Sequence, residues 1–163
     1  MTVEERLQRL EDDRAIRDLK ARYLRACDTQ DPEMVAATLL PEVVVAFEGF
    51  PPFNSRDAFI AVYRQFGCQP GIHDIHHAAN GIVTIENAER ATAQWSLLFH
   101  QVNLSGGTLT QYGVEYDDTY VKRDGRWWIA ETRTTRKSCL LQNVGKDGVI
   151  KVTAMGSGVD MPS

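Results

Sequence analysis

The chain has few cysteines, little net charge and no long apolar run, and each shortage excludes a class of protein. Its three cysteines, Cys27, Cys68 and Cys139, are odd in number and lack C-x-x-C spacing, which argues against a disulfide framework and a thiolate zinc site. A formal net charge of −4 gives no support for nucleic acid or an anionic membrane as partner. No apolar run approaches the length of a membrane span or a signal peptide, so we expect a cytoplasmic protein.

The sequence does have the length and apolar content of one globular domain. It contains 163 residues, of which 43% are hydrophobic and 25% charged, an ordinary composition for a globular protein. A chain of this length can bury roughly 70% of its unfolded surface. Periodic patterning weakens after residue 137, so we expect a single domain over residues 1–137 and a C-terminal tail over residues 138–163.

Helical patterns dominate the first part of the chain. Apolar residues recur at three- and four-residue steps from Val3 to Cys27, which predicts a long amphipathic helix with a break near residues 11–13. Asp31 followed by Pro32 is typical of a helix start, because proline suits the first helical position. The sequence therefore predicts, in order, a helix over 3–27, a short helix over 32–40, a strand over 43–47 and a helix over 55–66.

Strand patterns dominate the remainder. Runs rich in β-branched and aromatic residues are separated by turn sequences, of which Ser105-Gly106-Gly107 and Arg123-Asp124-Gly125 are strong hairpin signals. Helices followed by a run of strands favour the α+β class over α/β. The predicted antiparallel strands cover residues 72–85, 91–104, 108–122 and 127–137.

Three residues are the candidate catalytic groups: Asp28 at the end of the first helix, and His76 and His100 on separate strands. An imidazole exchanges protons near neutral pH, and a neighbouring carboxylate fixes its tautomer and raises its basicity. If the three met in an apolar pocket, they could remove a proton at one point and return it at another without a metal or organic cofactor. Two alternatives remain open: Asp28 as a turn or capping residue, and His100 as a hydrogen-bonded core histidine.

Strand alternation restricts which side chains can meet. His76 and His77 must point to opposite faces of a regular strand, so only one of them can line a pocket. The run His73-x-x-His76-His77 does not place three ligands on one face either, and we therefore expect no metal site. Tyr112 and Tyr116 share a face on a later strand, where an apolar wall with phenol groups would suit a hydroxylated or aromatic small molecule.

Several motifs in order resemble one known family. They are Ala15-Ile16-Arg17-Asp18-Leu19 with Arg22-Tyr23, Asp28-x-x-Asp31, the Ile75-His76 strand, and Tyr120-x-x-x-Asp124-Gly125-Arg126-Trp127. This set resembles the SnoaL-like family of the nuclear-transport-factor-two-like superfamily, which includes scytalone dehydratase, bile-acid 7α-dehydratase and hexachlorocyclohexane dehydrochlorinase. The resemblance implies an α+β, cone-shaped roll of cystatin-like topology, with N-terminal helices packed in the concave face of a curved antiparallel sheet.

The resemblance also implies roles for individual residues. Asp28 falls on a buried aspartate, His76 on the base that this aspartate orients, and His100 on a second histidine found in scytalone dehydratase. Cys27 and Tyr116 stand where scytalone dehydratase carries a tyrosine and an asparagine, which argues for a different substrate. The residues expected to contact substrate are Tyr23, Phe47, Tyr112 and Tyr116.

The sequence and the resemblance together predict a cofactor-independent lyase or isomerase. Such an enzyme would use general acid–base catalysis to dehydrate or enolise a small, hydrophobic substrate that carries hydroxyl or carbonyl groups. The alternative is a non-catalytic small-ligand-binding or accessory protein of the same fold, including a role like that of a dioxygenase small subunit. A cyclase or epoxide hydrolase of this fold is a third, less favoured reading. Apolar residues on both faces of the predicted meander favour a homo-oligomer, a trimer over a dimer.

Overall fold

The computed structural model describes residues 1–157, in which three helices and one strand precede five further strands. No helix within these residues is both long and apolar enough to cross a lipid bilayer. The elements are α1 Val3–Asp28, α2 Pro32–Ala36, β1 Leu39–Phe47, α3 Arg56–Phe66, β2 Ile72–Ile85, β3 Arg90–Asn103, β4 Thr108–Arg123, β5 Arg126–Val144 and β6 Ile150–Gly156.

Local capping explains where each helix begins. Thr2 and Glu5 form a capping box at the start of α1, in which each side chain accepts the other residue's backbone N–H. The Asp31 side chain caps α2, and Pro32 occupies its first turn. Ser55 caps α3 in the same way. The predicted starts of α2 and α3 are confirmed.

The strands form one curved, unclosed, mixed sheet. Its order is β1-β5-β4-β3-β2, with β6 also paired to β5. Strands β2 to β5 make the predicted antiparallel meander, whereas β1 runs parallel to β5. The parallel pair arises because the chain leaves β1 through α3 and enters the sheet again at the opposite edge. The α+β class and the cystatin-like fold are confirmed, and the sheet is mixed rather than purely antiparallel.

Helix α1 packs against one face of the sheet, which we call the inner face, and the opposite face is the outer face. The core between helix and sheet contains Ile16 and Leu19 of α1 against Tyr120 and Ile129 of the sheet, all at most 1% exposed. Removal of this apolar surface from water is the main favourable term in folding. The outer face instead leaves large apolar residues exposed, including Leu98 at 70%.

Irregular pairing changes which side chains reach the inner face. The register shifts in β2 between Ala79 and Ile82, and twice along the β4–β5 pair. An extra residue at such a bulge bends the strand and resets the alternation of side chains. Gly81 lies in the β2 irregularity, where an added Cβ would come within 2.2 Å of the Trp95 ring.

The structure corrects several predicted boundaries. Helix α1 is continuous through residues 11–13, and α2 ends at Ala36 instead of near residue 40. Pro41 does not close a helix but lies within β1, an edge strand, where a missing N–H is tolerated. The predicted boundary after residue 137 falls inside β5, and β6 extends the sheet further. Residues 158–163 of the predicted tail lie outside the described residues.

Candidate active site

A short polar contact joins the end of α1 to β2. Nδ1 of His76 lies 2.6 Å from Oδ1 of Asp28, and the backbone N–H of His76 donates to the same oxygen at 2.9 Å. The two side chains are 15% and 26% exposed, respectively. A carboxylate can only accept a hydrogen bond, so the contact favours the neutral tautomer that carries its proton on Nδ1, in which Nε2 can act as a base. Nε2 makes no hydrogen bond to any described residue.

The chain between the two residues is folded so that they meet. Asp28 is the last residue of α1, and the turn that follows contains Gln30 in a left-handed conformation, with φ 53°. The Gln30 side-chain amide donates to the carbonyl of Ile72 at 2.8 Å, which fixes this turn to the start of β2. His76 lies four residues further along β2, on the inner face. The Asp28 carboxylate is therefore bonded to the sheet rather than to its own helix.

Asp74 lies on the inner face two residues before His76. Nε2 of Gln101 donates to its Oδ1 at 2.9 Å. Burial raises the pKa of Asp74, against the lowering effects of the Gln101 hydrogen bond and of nearby His76. A carboxyl group with a raised pKa keeps its proton to higher pH and can serve as an acid. Asp74 was not predicted as a site residue, although its two-residue spacing from His76 places both on one face of a strand.

Aromatic side chains extend the inner face beside the pair Asp28 and His76, which we call the dyad. The His76 ring centroid lies 4.8 Å from that of Phe99, which in turn stacks on Tyr112 at 5.9 Å. Phe47 of β1 packs edge-on against Tyr116 at 6.3 Å. Phe47, Phe99 and Tyr112 are each only partly buried. Of the predicted substrate contacts, Phe47 and Tyr112 are therefore partly accessible on the inner face. We call the stacked pair Phe99 and Tyr112 the aromatic wall.

His100 is not part of this site. It pairs directly with Ile75 across β2 and β3, so it shares the outer face with Ile75 and Leu98, opposite to His76. Within the part of the chain that the structure describes, its ring makes one long hydrogen-bond contact, 3.5 Å between Nδ1 and the side-chain amide of Gln111. The expectation that His100 joins the dyad is wrong because its neighbour Phe99 takes the inward position.

The other two histidines of the strand follow the predicted alternation. His73 and His77 are exposed, whereas His76 is partly buried. Among residues 1–157, no group of three or more His, Cys, Asp or Glu side chains is placed to hold a metal ion.

An open groove gives solvent access to the dyad. It lies along the seam between α1 and β2, has a volume of about 470 Å³, and is lined in part by Leu24, Asp28, His76 and Ala78. The dyad thus lies between this groove and the aromatic wall.

Comparison with known proteins identifies the family. Residues 8–133 match the SnoaL-like domain. The chain belongs to this family. The matched range contains Asp28, Asp74 and His76, and the resemblance inferred from the sequence is confirmed.

Solved structures related to this SnoaL-like chain share its fold. A provisionally named scytalone dehydratase from Novosphingobium aromaticivorans has a TM-score of 0.75 and 21% identity, over 81% of this chain and 88% of that one. The hexachlorocyclohexane dehydrochlorinase LinA-type3 from Novosphingobium barchaimii has a TM-score of 0.71 and 16% identity, over 95% of each chain. An NTF2-like protein with a cystatin-like fold from N. aromaticivorans has a TM-score of 0.68 and 23% identity, over 81% of this chain and 86% of that one. At these identities, the similarity establishes the fold alone.

A buried ion pair formed by Lys20, eight residues before Asp28 on α1, was not predicted. Nζ of Lys20 is 2.8 Å from Oδ2 of Asp118, and the two side chains are 1% and 0% exposed. The Tyr120 hydroxyl donates to the same carboxylate at 2.8 Å. Lys20 Nζ also lies 3.6 Å from the ring centroid of Tyr116 and 5.3 Å from that of Tyr23. Burial lowers the pKa of Lys20, although Asp118 opposes the shift.

This arrangement changes the roles expected of two tyrosines. Tyr23 and Tyr116 are 2% and 5% exposed, and they surround Lys20 rather than an open pocket. Burial raises the pKa of both phenols and raises that of the neighbouring Cys27 thiol to about 12. The structure therefore places Tyr23 and Tyr116 in the core as packing partners of a cation, and corrects their predicted role as substrate contacts.

Proposed function

We propose that this SnoaL-like protein is a cofactor-independent lyase or isomerase that removes a proton from carbon by general base catalysis. The observation that carries the proposal is the 2.6 Å contact between Nδ1 of His76 and Asp28, which leaves Nε2 free. A carboxylate in this position fixes the tautomer and stabilises the imidazolium that forms after proton transfer. The family match supports a lyase-type function, since proteins named as dehydratases and dehydrochlorinases share the fold.

The proposed reaction is dehydration of a β-hydroxy carbonyl compound. Nε2 of His76 takes the acidic C–H proton, and the electron pair of that bond forms an enolate. The enolate re-forms the carbonyl as the β C–O bond breaks, and the departing hydroxide takes a proton from the Asp74 carboxyl to leave as water. Asp74, rather than His100, is the acid because it shares the inner face with the base. Proton transfer from His76 to Asp74 through solvent restores both groups.

The aromatic wall supports a substrate with a flat, hydrophobic body. Phe99 and Tyr112 stack nearly parallel, with an interplanar angle of 17°, beside the His76 ring. Aromatic side chains bind flat apolar groups through stacked or edge-on contacts. A hydroxylated aromatic ketone or a related alicyclic ring would place an acidic C–H near Nε2.

Two probe reactions test this proposal. The compound 3-hydroxy-1-tetralone yields 1-naphthol on loss of water, and 2-tetralone in D₂O reports proton removal without a leaving group. We expect Asp28→Asn and His76→Ala each to lower kcat/KM at least about 100-fold, because a positioned base contributes about 10²–10⁴ to rate. The matched control is His77→Ala, which removes the adjacent, exposed imidazole and should leave both rates within about threefold.

The result also separates catalysis from simple binding. If Asp28→Asn and His76→Ala both keep their rates within about threefold of the unmodified protein, the base assignment is wrong. A protein that binds the tetralones but accelerates neither reaction would instead fit the non-catalytic ligand-binding alternative.

We also propose that the chain forms a homo-oligomer, with a trimer favoured over a dimer. The outer face of β2 and β3 exposes Ile75, Ile82 and Leu98 at 46%, 64% and 70%. Several large apolar side chains exposed on one face of a sheet favour burial of that face against a partner. A second copy of the chain that covers the outer face would leave the dyad, on the inner face, accessible.

A further inference from the structure

Arg136 lies on β5, and its guanidinium belongs to the same surface as the aromatic wall. Its Cζ is 5.5 Å from the Tyr112 ring centroid, and it pairs with buried Val114 in the sheet. The guanidinium also packs against the backbone of Gly49, since an added Cβ there would come within 3.0 Å of Nη2. The side chain is therefore held in place by a ring on one side and a loop on the other.

This guanidinium has no acceptor within residues 1–157. Among the described residues, its Nε is buried without a hydrogen-bond partner, and no carboxylate forms an ion pair with the side chain. The Glu48 carboxylate accepts a hydrogen bond from Arg136 at 2.5 Å, but from the backbone N–H and not from the guanidinium. The other partly buried arginine on the inner side, Arg17, is paired with Asp13 at 2.7 Å. Arg136 as a whole is only partly buried, so its terminal nitrogens, unlike the enclosed Nε, can donate to an acceptor that binds from solvent.

We propose that Arg136 binds a carboxylate on the substrate, so that the substrate of this protein is a flat, hydrophobic carboxylic acid. This inference rests on the proposed function for the position of the reacting carbon, but the anion site itself stands on the contacts of Arg136. A guanidinium presents planar, paired donors that match the two oxygens of a carboxylate. The Tyr112 ring beneath it holds the cation at the end of the wall.

The sheet sets the size of such a substrate. His76 and Arg136 lie on β2 and β5, with Phe99 on β3 and Tyr112 on β4 between them. Neighbouring strands are about 4.8 Å apart, so three spacings separate the backbones by roughly 14 Å, and side chains on a concave face approach more closely. A substrate that reaches both ends has the length of two or three fused rings, with the acidic C–H at one end and the carboxylate at the other.

The test compares two probes that differ in charge but hardly in shape, 2-naphthoate and 2-naphthamide. Their dissociation constants are measured by calorimetry for the unmodified protein and for Arg136→Gln, Arg136→Lys, Arg133→Gln and His76→Ala. We expect the unmodified protein to prefer naphthoate about tenfold, because hydrogen bonds between charged groups are roughly twice as strong as neutral ones. Arg136→Gln should remove the preference, and Arg136→Lys should retain part of it, since lysine keeps the charge without the planar fork.

The controls test the Arg136 anion site separately from the proposed role of His76 as a base. Arg133 is on the same strand but exposed and paired with Glu131, so Arg133→Gln should keep the preference. His76→Ala should also keep it, whether or not the protein catalyses the tetralone reactions. Equal binding of the two probes, no binding of naphthoate, or a preference that survives in Arg136→Gln would each overturn the proposal. The preference is a ratio within one variant, so a general loss of stability does not imitate the expected result.

Discussion

Removal of one partner of the buried Lys20–Asp118 pair should strongly destabilise the protein. The variant is Lys20→Met, which keeps much of the side-chain length and removes the charge. It leaves Asp118 at 0% exposure, and the Tyr120 hydroxyl is then its one side-chain donor among residues 1–157. An isolated carboxylate in that position must either stay charged without a counter-ion or take up a proton.

The size of the effect follows from the geometry. At 2.8 Å and an effective dielectric constant of about 20, the attraction between the two charges is about 6 kcal/mol. Desolvation of both ions offsets most of this gain, but loss of one ion leaves the other's desolvation uncompensated, which costs about 3–5 kcal/mol. A chain of 163 residues should lose about 2–4 °C in Tm per kcal/mol, so we expect a fall of roughly 6–20 °C.

The assay is urea unfolding followed by tryptophan fluorescence, with a thermal scan in parallel. The double variant Lys20→Met/Asp118→Leu should recover most of the loss, because an apolar pair fills the same volume without a buried charge. Arg14→Met is the control for an exposed pair, since Arg14 and Asp18 are 78% and 51% exposed, and it should cost less than about 0.5 kcal/mol. The reasoning is refuted if Lys20→Met costs less than about 1 kcal/mol or if the double variant is no more stable than the single one.

Two further predictions concern Asp74 and assembly. Burial raises the pKa of Asp74 above its ordinary value of 3.8, so the folded state binds the carboxyl proton more tightly than the unfolded state does. The free energy of unfolding therefore falls as pH rises from the unfolded-state pKa through the folded-state pKa. Relative to the unmodified protein at the same pH, Asp74→Asn should therefore raise Tm more at pH 7 than at pH 3, and it should lower tetralone dehydration at least about 100-fold; an unchanged rate would remove Asp74 from the mechanism. Light scattering should give about three times the chain mass of 18.3 kDa, and Leu98→Glu should reduce it, whereas a mass equal to one chain in dilute solution would exclude the oligomer.

Local signals were sufficient to predict most of the fold. The hairpin turns at 105–107 and 123–125 define the long strands on either side, because few residue types tolerate the required positive φ angles. Gly107, Asp124 and Gly125 do have positive φ in the structure. The parallel pairing of β1 with β5 could not be predicted in this way, since it joins segments far apart in sequence and depends on how the whole sheet closes over α1.

The candidate site was predicted where strand alternation was regular and missed where it was not. His76 and Asp28 were identified from residue type, order and resemblance, and the alternation of His76 and His77 was correct. His100 was assigned to the site from its residue type and the resemblance. Its neighbour Phe99 points to the inner face, so His100 points to the outer face. Arg136 lies on β5 between the two register shifts of the β4–β5 pair, and such shifts remove the simple alternation from which a face could be predicted.

The position of Asp28 depends on contacts along the whole of α1. Three charged residues fix this helix to the sheet, and each follows the previous one by eight positions: Asp12, Lys20 and Asp28. Asp12 accepts from Nζ of Lys122 at 2.7 Å and from Nε1 of Trp127 at 2.8 Å, and Lys20 pairs with Asp118. Burial acts to raise the pKa of Asp12, but its bonds to Lys122 and Trp127 hold that pKa below its ordinary value.

These polar contacts specify the register of α1 more narrowly than apolar packing does. Eight residues advance a helix by about 12 Å and rotate it by about 80° beyond two full turns, so the three contacts follow a diagonal from β4 and β5 to β2. A slip of one residue would move Asp28 by about 1.5 Å and rotate it by about 100°, which would break its contact with His76. Apolar side chains can adjust to such a slip, whereas directional bonds to buried charges cannot. The buried pair at Lys20 therefore contributes to the candidate site by holding the helix in the one register that brings Asp28 to His76.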